Sequence, residues 1–142
     1  MQIRDVLAAK PRDGVVTISP EATVRDLLAL LARSNIGACV VSSDGQQVQG
    51  IVSERDVVRG LVEREELLTQ PVSAIMTSEV RTISPSDQLD PVHGLMTEGR
   101  FRHLPVTEDG VLVGIISVGD VVKSHIAEVE FERDQLDSYM RQ

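Results

Sequence analysis

The chain has 142 residues, of which 42% are hydrophobic and only 2% aromatic, and it carries a net charge of −8. The hydrophobic fraction excludes general disorder, and the sequence contains no run of 18 apolar residues that would cross a membrane. The acidic balance makes nucleic acid and anionic membranes poor partners, and the scarcity of aromatic side chains argues against a platform that stacks single-stranded bases.

The first half of the chain predicts elements in the order β-α-β-β-α. The strands are expected at residues 15–18, 38–41 and 47–52, and a Ser-Ser-Asp-Gly turn joins the last two as a hairpin. Thr23 is expected to cap the first helix, because apolar residues follow it at helical spacing. These apolar residues are Val24, Leu27, Leu28 and Leu31. Ser53 begins the second helix.

The second half of the chain repeats the first. Thr17–Pro20 returns as Thr82–Pro85 at an offset of 65, and Gly50–Ser53 returns as Gly114–Ser117 at an offset of 64. Two copies of a unit this long favour a pseudo-symmetric pair that shares one core. We therefore expect two repeats, residues 1–70 and 71–125, packed sheet to sheet with the helices outside. This packing leaves two clefts related by a pseudo-twofold axis.

A helical extension over residues 126–142 is predicted to follow the repeats. Apolar residues alternate at spacings of four and three, as in the seam of a short coiled coil, and only Arg133 interrupts them. The seam positions are Val122, Ile126, Val129, Arg133, Leu136 and Met140. We expect this helix to contact a second subunit and form a homodimer. The alternative is that the stripe packs on the chain's own body.

The duplicated motifs resemble a known family, the tandem cystathionine-β-synthase (CBS) domain pair or Bateman module, in its stand-alone bacterial type. The matching segments are Gly50–Asp56, Gly114–Asp120, Arg102–Val106, Val72–Thr77 and the two Thr-Ile-Ser-Pro strand ends. The resemblance implies an α/β (α+β) fold and a sensor of an adenine ligand, which is AMP, ADP, ATP, S-adenosylmethionine or NAD. It also implies a separate regulated enzyme or transporter as partner, with no cofactor required.

The resemblance assigns ligand-binding roles to residues in both repeats. Asp56 and Asp120 would hold the ribose hydroxyls, with Ser53 and Ser117 near ribose or phosphate. These four residues also read as ordinary helix caps, and both roles use the same geometry. The resemblance further implies that the edge of the adenine is contacted by the backbone of Thr17, Ile18, Thr82 and Ile83. It implies that the faces of the adenine are contacted by the side chains of Ile18, Val40, Ile83 and Pro105.

Phosphate groups require cations, for which Arg55 and His103 are the leading candidates. The weaker candidates are Arg59, Arg100, Arg102 and Lys123. Because Glu54 and Arg55 of the first repeat correspond to Val118 and Gly119 of the second, we expect unequal clefts. The cleft beside Arg55 should suit phosphate better, with one tight site and one weak or empty site.

Motifs of catalysis and metal binding are missing from the sequence. It contains no P-loop, G-x-G-x-x-G or G-x-S-x-G, and its three histidines lack metal-ligand spacing, so we expect neither an enzyme nor a metal site. Cys39 is unpaired and predicted to be a buried apolar residue, and together with the lack of a secretion signal it indicates the cytoplasm. Two alternatives remain: a ligand-free module that dimerises or scaffolds, and a carrier or minor enzyme with another ligand in the same cleft.

Overall fold

The computed structural model describes residues 1–10 and 14–141. Over these residues the chain forms a mixed α/β fold with two small sheets, which confirms the expected fold class. The first repeat contains α1 (Ile3–Ala8), β1 (Thr17–Ile18), α2 (Val24–Ser34), β2 (Ala38–Val41), β3 (Gly50–Ser53) and α3 (Glu54–Glu63). Two short 3₁₀ turns, Glu65–Thr69 and Val72–Ala74, lead into the second repeat. That repeat contains α4 (Leu89–Gly99), β4 (His103–Glu108), β5 (Val111–Ser117) and α5 (Val118–Met140).

The two sheets follow the same topology, although the second sheet is less complete. In the first sheet β1 runs parallel to β2, with Ile18 opposite Val41, and β2 runs antiparallel to β3. In the second sheet β4 and β5 are antiparallel. Its predicted first strand is reduced to a single parallel bridge between Ile83 and Val106, the residues equivalent to Ile18 and Val41. The repeat is therefore preserved at the level of single residue pairs.

Capping boxes begin α2, α3 and α5. The caps are Thr23, Ser53 and Ser117, and each hydroxyl accepts a hydrogen bond from the backbone N–H three residues later. An aspartate at that third position accepts the N–H of the cap residue in return. These bonds satisfy amide groups that the first helical turn leaves without partners. The predicted helix starts at Thr23 and Ser53 are confirmed.

The segment that begins each repeat packs on the other repeat. Ile3 and Val6 of α1 lie in the hydrophobic cluster formed by Leu104, Ile116 and other residues of the second repeat. Conversely, Val72 lies in the cluster of the first repeat. Backbone hydrogen bonds fix both segments at equivalent places, from Ile3 N–H to the Asp87 carbonyl (2.9 Å) and from Val72 N–H to the Ala22 carbonyl (2.8 Å). We refer to this arrangement as the lead-in exchange.

The inner faces of the two sheets are also covered. Cys39 and Val41 of β2 belong to the helix-packed cluster of the first repeat, so Val40 between them faces the other way. Val40 is nevertheless fully buried, and Pro105 on the corresponding face of β4 is buried too. This burial on both inner faces is what sheet-to-sheet packing requires.

The last helix extends well beyond the body of the molecule. At 23 residues, α5 is roughly 35 Å long, and Val121 and Ser124 near its start are its buried side chains. The predicted seam is exposed: Ile126 is 53% accessible, Leu136 63% and Met140 80%. The chain's own body therefore does not cover the apolar stripe, so the alternative in which this stripe packs on that body is wrong.

Candidate functional site

Two clefts lie between the repeats, and we name each after the aspartate in its wall. The Asp120 cleft has a volume of about 680 Å³, and its wall includes Lys10, Val15, Val16, Gly37, His103, Gly114, Ile115, Ser117 and Asp120. The Asp56 cleft has a volume of about 320 Å³, and its wall includes Gly37, Ile51, Ser53, Arg55, Asp56, Val80, Arg81, Arg102 and His103. Both volumes fall in the range of about 300–1,000 Å³ typical of small-molecule sites.

Each cleft combines segments from both repeats. The Asp120 cleft joins the end of β5 and the start of α5 to residues 14–16 and 35–38 of the first repeat. The Asp56 cleft joins the end of β3 and the start of α3 to residues 80–81 and 100–104 of the second repeat. A ligand in either cleft would therefore contact both repeats at once.

Two left-handed residues bring these segments into the clefts. α2 ends at Asn35 with φ 53°, and α4 ends at the equivalent Arg100 with φ 56°. Residues other than glycine adopt this conformation only at some cost, although asparagine tolerates it better than most. The same turn at equivalent positions points to a shared geometric requirement. It directs residues 36–38 and 101–103 into the cleft walls.

Asp120 is held by two donors on one of its oxygens. Its Oδ2 accepts hydrogen bonds from the Ser117 backbone N–H and from Lys10 Nζ, both at 2.9 Å. Lys10 Nζ also donates to the Ile115 carbonyl at 2.7 Å. Burial alone would raise the pKa of Asp120, but the hydrogen bonds from Lys10 and Ser117 outweigh it and hold this pKa below its ordinary value. The carboxylate is therefore ionised and paired at neutral pH.

Asp56 occupies the equivalent position without a lysine. Its Oδ2 accepts hydrogen bonds from the Ser53 backbone N–H at 2.8 Å and from the Ser53 hydroxyl at 3.1 Å. Among the described residues no cation forms a salt bridge with it. Asp56 thus keeps the capping role of Asp120 while the rest of its surroundings differ.

His103 lines both clefts, together with Gly37 and Ala38. The pKa of its half-buried imidazole lies below the ordinary value, chiefly because burial disfavours the charged ring, while the nearby Asp120 carboxylate partly opposes this shift. The ring is therefore mostly neutral at pH 7. A neutral imidazole can donate one hydrogen bond and accept another, whereas the sequence suggested a cation for phosphate.

The two clefts differ in their numbers of charged side chains. Five arginines line the Asp56 cleft against three carboxylates, Glu54, Asp56 and Glu79. These arginines are Arg55, Arg59, Arg81, Arg100 and Arg102. In the Asp120 cleft the cations are Arg4 and Lys10 against the single carboxylate of Asp120. The geometry agrees with the expectation that the clefts are unequal and that more positive charge lies beside Arg55. Which cleft binds more tightly stays a prediction.

The predicted site residues divide into two groups. The structure brings Ser53, Arg55, Asp56 and His103 together in one cleft, and His103, Ser117 and Asp120 in the other. The residues assigned to adenine line neither cleft: Thr17, Ile18, Val40, Thr82, Ile83 and Pro105.

Ile18 and Ile83 are 7% and 6% exposed, and their side chains belong to the two hydrophobic clusters. The adenine contacts that the resemblance assigns to these residues stay a prediction. The cleft walls use residues slightly earlier in the chain, among them Val16 and Arg81. Sequence reasoning also missed Lys10, which lies 110 residues from Asp120.

Three further observations concern metal ligands, membrane-spanning helices and Cys39. No group of three or more His, Cys, Asp or Glu side chains is arranged to hold a metal ion in this part of the chain. Within the same residues, no helix combines the length and the apolar character needed to span a membrane. Cys39 is buried as predicted, and burial raises the pKa of its thiol to about 11.

Comparison with known proteins agrees with this architecture. A model of the CBS domain matches the chain twice, over residues 3–63 and 72–126. The chain belongs to the CBS domain family. The family resemblance expected from the motifs is thereby confirmed.

Similar CBS proteins are known from several organisms. The chain is 33% identical to a mitochondrial CBS domain-containing protein of Arabidopsis thaliana, over 98% of this chain and 71% of that one. A crystal structure of a CBS-domain protein from Agrobacterium tumefaciens is 40% identical, with a TM-score of 0.82 over 88% of this chain and 99% of that chain. A CBS domain protein from Pyrobaculum aerophilum, solved in complex with AMP, is 26% identical with a TM-score of 0.73 over 84% and 89% of the two chains.

Proposed function

We propose that this CBS pair binds an adenine nucleotide and controls a separate enzyme or transporter through the conformation that the ligand stabilises. The observation that carries the proposal is the paired arrangement of Ser53 with Asp56 and of Ser117 with Asp120. In both repeats an aspartate lies at a helix N-terminus in the wall of a cleft. A carboxylate in this place can accept the hydroxyls of a ribose, and helix N–H groups favour an anion.

The similar Pyrobaculum protein adds independent support, because its structure was solved in complex with AMP. For this chain the candidate ligands are AMP, ADP, ATP, S-adenosylmethionine and NAD. Because each cleft combines segments of both repeats, a bound ligand would favour one relative position of the repeats over others. A ligand shifts such an equilibrium by its differential affinity for the two states, and a partner protein would read the result.

The test compares three aspartates that have the same capping role. Asp56→Asn and Asp120→Asn remove one charge from each cleft, while Asp26→Asn removes the equivalent charge from the capping box of α2, outside both clefts. The side-chain oxygen of asparagine can still accept the hydrogen bond from the N–H of the cap residue, so folding should be retained in all three variants. The unaltered chain and the three variants are all titrated calorimetrically with one ligand, the candidate that raises the melting temperature of the unaltered chain most.

We expect a clear thermal shift with at least one adenine ligand, since a ligand at 100 times its Kd stabilises the folded state by about 2.7 kcal/mol. Asp56→Asn or Asp120→Asn should weaken binding about tenfold or more, whereas Asp26→Asn should leave it unchanged. Hydrogen exchange with and without ligand should then change at α3 and α5. A folded protein that binds none of the five ligands would contradict the proposal and favour a ligand-free module.

We also propose that the module is a homodimer formed through α3 and α5. Val58 and Val62 on α3 are 63% and 84% exposed. Their equivalents on α5, at an offset of 64, are Val122 and Ile126, which are 42% and 53% exposed. Apolar side chains exposed at matching positions of two pseudo-symmetric helices would give a twofold partner two matching apolar surfaces.

Light scattering tests the dimer. The unaltered chain should give twice its 15.5 kDa mass, and Val62→Asp with Ile126→Asp should give a monomer. Val113→Asp is the control, because Val113 is an exposed apolar residue (41%) on β5 rather than on either helix. A monomer mass for the unaltered chain would rule out the dimer and leave the nucleotide proposal standing.

A further inference from the structure

Lys10 lies in a connection that is longer than the corresponding connection of the second repeat. The lead-in residue Ile3 corresponds to Val72 at an offset of 69, whereas Thr17 corresponds to Thr82 at an offset of 65. The first repeat therefore has four additional residues between its lead-in and its first strand. Lys10 lies in the wall of the Asp120 cleft, whereas the residue at the lead-in offset of 69, Glu79, lies in the wall of the Asp56 cleft.

The lysine replaces a backbone contact that the other cleft retains. In the Asp56 cleft, the Ile51 carbonyl accepts a hydrogen bond from the Thr77 backbone N–H at 2.9 Å. At the equivalent place in the Asp120 cleft, the Ile115 carbonyl accepts a hydrogen bond from Lys10 Nζ at 2.7 Å. Lys10 thus places a positive charge in the Asp120 cleft where the Asp56 cleft has the neutral backbone amide of Thr77.

Lys10 competes for the group that a ribose needs. Asp120 Oδ2 already accepts two hydrogen bonds, from Ser117 N–H and from Lys10 Nζ, and each carboxylate oxygen offers about two acceptor positions. A ribose that engages both oxygens of Asp120 must therefore displace Lys10. Both side chains are little exposed, at 28% for Lys10 and 25% for Asp120, so the displaced ammonium would lose a partner in a partly buried place.

We propose that Lys10 is a specificity-determining residue, which makes the Asp120 cleft select adenosine ligands whose 5′ substituent is negatively charged. This inference rests on the proposed function. The ribose of an AMP-like ligand binds Asp120, and its phosphate forms a new ion pair with the displaced Lys10 ammonium. Adenosine has no negatively charged group, so it leaves the displaced ammonium without an ion-pair partner. A sulfonium ligand brings a second positive charge to the same cleft and should be bound least well.

The test measures the ratio of AMP to adenosine affinity by calorimetry, in the Asp56→Asn background so that only the Asp120 cleft is intact. Lys10→Gln is compared with Lys10→Arg, which keeps the charge, and with Arg25→Gln. Arg25 is exposed on α2 and lines neither cleft. Arg25→Gln therefore removes one positive charge from the chain without changing either cleft.

Lys10→Gln should weaken AMP and strengthen adenosine, so that the affinity ratio falls about tenfold or more. Lys10→Arg should keep the preference for AMP, and Arg25→Gln should leave the ratio within about twofold of its starting value. The inference is overturned if Lys10→Gln weakens AMP while adenosine is unchanged, or if both affinities move in the same direction. In the first of these cases Lys10 would contact phosphate without competing for Asp120.

The failure of this inference can be told from the failure of the proposed function. If AMP binds the unaltered chain but not the Asp56→Asn variant, only the Asp56 cleft takes a nucleotide. The inference about Lys10 is then wrong and the proposed function stands. If no adenine ligand binds the unaltered folded chain, the proposed function is wrong and this inference is wrong with it.

Discussion

The lead-in exchange predicts that damage near the N-terminus destabilises the distant repeat. Ile3 is fully buried in the cluster of the second repeat. Replacing a buried isoleucine with alanine costs about 2–5 kcal/mol, because the lost contacts leave a cavity that closes only in part. At about 3 kcal/mol, Ile3→Ala should lower the melting temperature by roughly 10 °C for a chain of this length. This loss is a large share of the 5–15 kcal/mol that stabilises a typical domain.

Hydrogen exchange measured residue by residue locates the effect. In Ile3→Ala, protection should fall most at the second-repeat strands β4 and β5, although the substituted residue lies at the start of the first repeat in the sequence. Val72→Ala is the mirror control. Val72 is fully buried in the cluster of the first repeat, so its replacement should cost about 2 kcal/mol and reduce protection at β2 and β3.

The opposite pattern would refute the reasoning. If Ile3→Ala reduced protection mainly in β2 and β3, each lead-in would stabilise its own repeat and the exchange would be wrong. An equal loss over both repeats in both variants would contradict only the predicted local preference, because exchange at these strands would then require global unfolding of the pair.

Three further predictions follow from single residues. Burial raises the pKa of the Cys39 thiol to about 11, so this thiol should react slowly with a thiol reagent at pH 8 in the folded chain and completely in denaturant. A fast reaction of the folded chain would contradict the burial of Cys39. Because the pKa of Asp120 is lowered in the folded chain, its ionised form stabilises the fold at pH values above about 4, the pKa of an aspartate in the unfolded chain. This stabilisation is lost as the pH falls through the pKa of the folded state. Urea unfolding should therefore show a gap in stability between the unaltered chain and Asp120→Asn at pH 6 that narrows by pH 3, and a constant gap would refute the pairing. Gly110→Ala should cost about 1 kcal/mol in the same assay, because Gly110 has φ 79° and open space for a methyl group, so only backbone strain acts.

The sequence predicted the elements whose signals are local. The capping residues Thr23 and Ser53 predict the starts of their helices, because a hydroxyl followed three residues later by a carboxylate accepts hydrogen bonds from backbone N–H groups of the first helical turn. The duplication identified the family, and the cleft carboxylates Asp56 and Asp120 followed from it. These features depend on residues close together in the chain.

What depends on distant contacts could not be read in this way. Nothing in a two-residue strand or a single bridge says which side faces a cleft, so the sequence does not show that the side chains of Ile18 and Ile83 belong to the hydrophobic clusters. Lys10 lies in a connection without periodicity, and its contact with Asp120 spans 110 positions. The four-residue difference in length between the two lead-ins is the one signal that could have drawn attention to it.

The lead-in exchange also decides which fragments of the chain can exist as folded pieces. A cut near residue 70 would give two halves, each carrying a lead-in that belongs to the core of the other. Neither half would contain a complete hydrophobic cluster, and both clefts would be divided between them. The two halves should therefore regain structure only as a mixed pair, in the manner of complementing fragments. The repeat that is visible in the sequence is thus a unit of duplication, while the unit of folding is the pair.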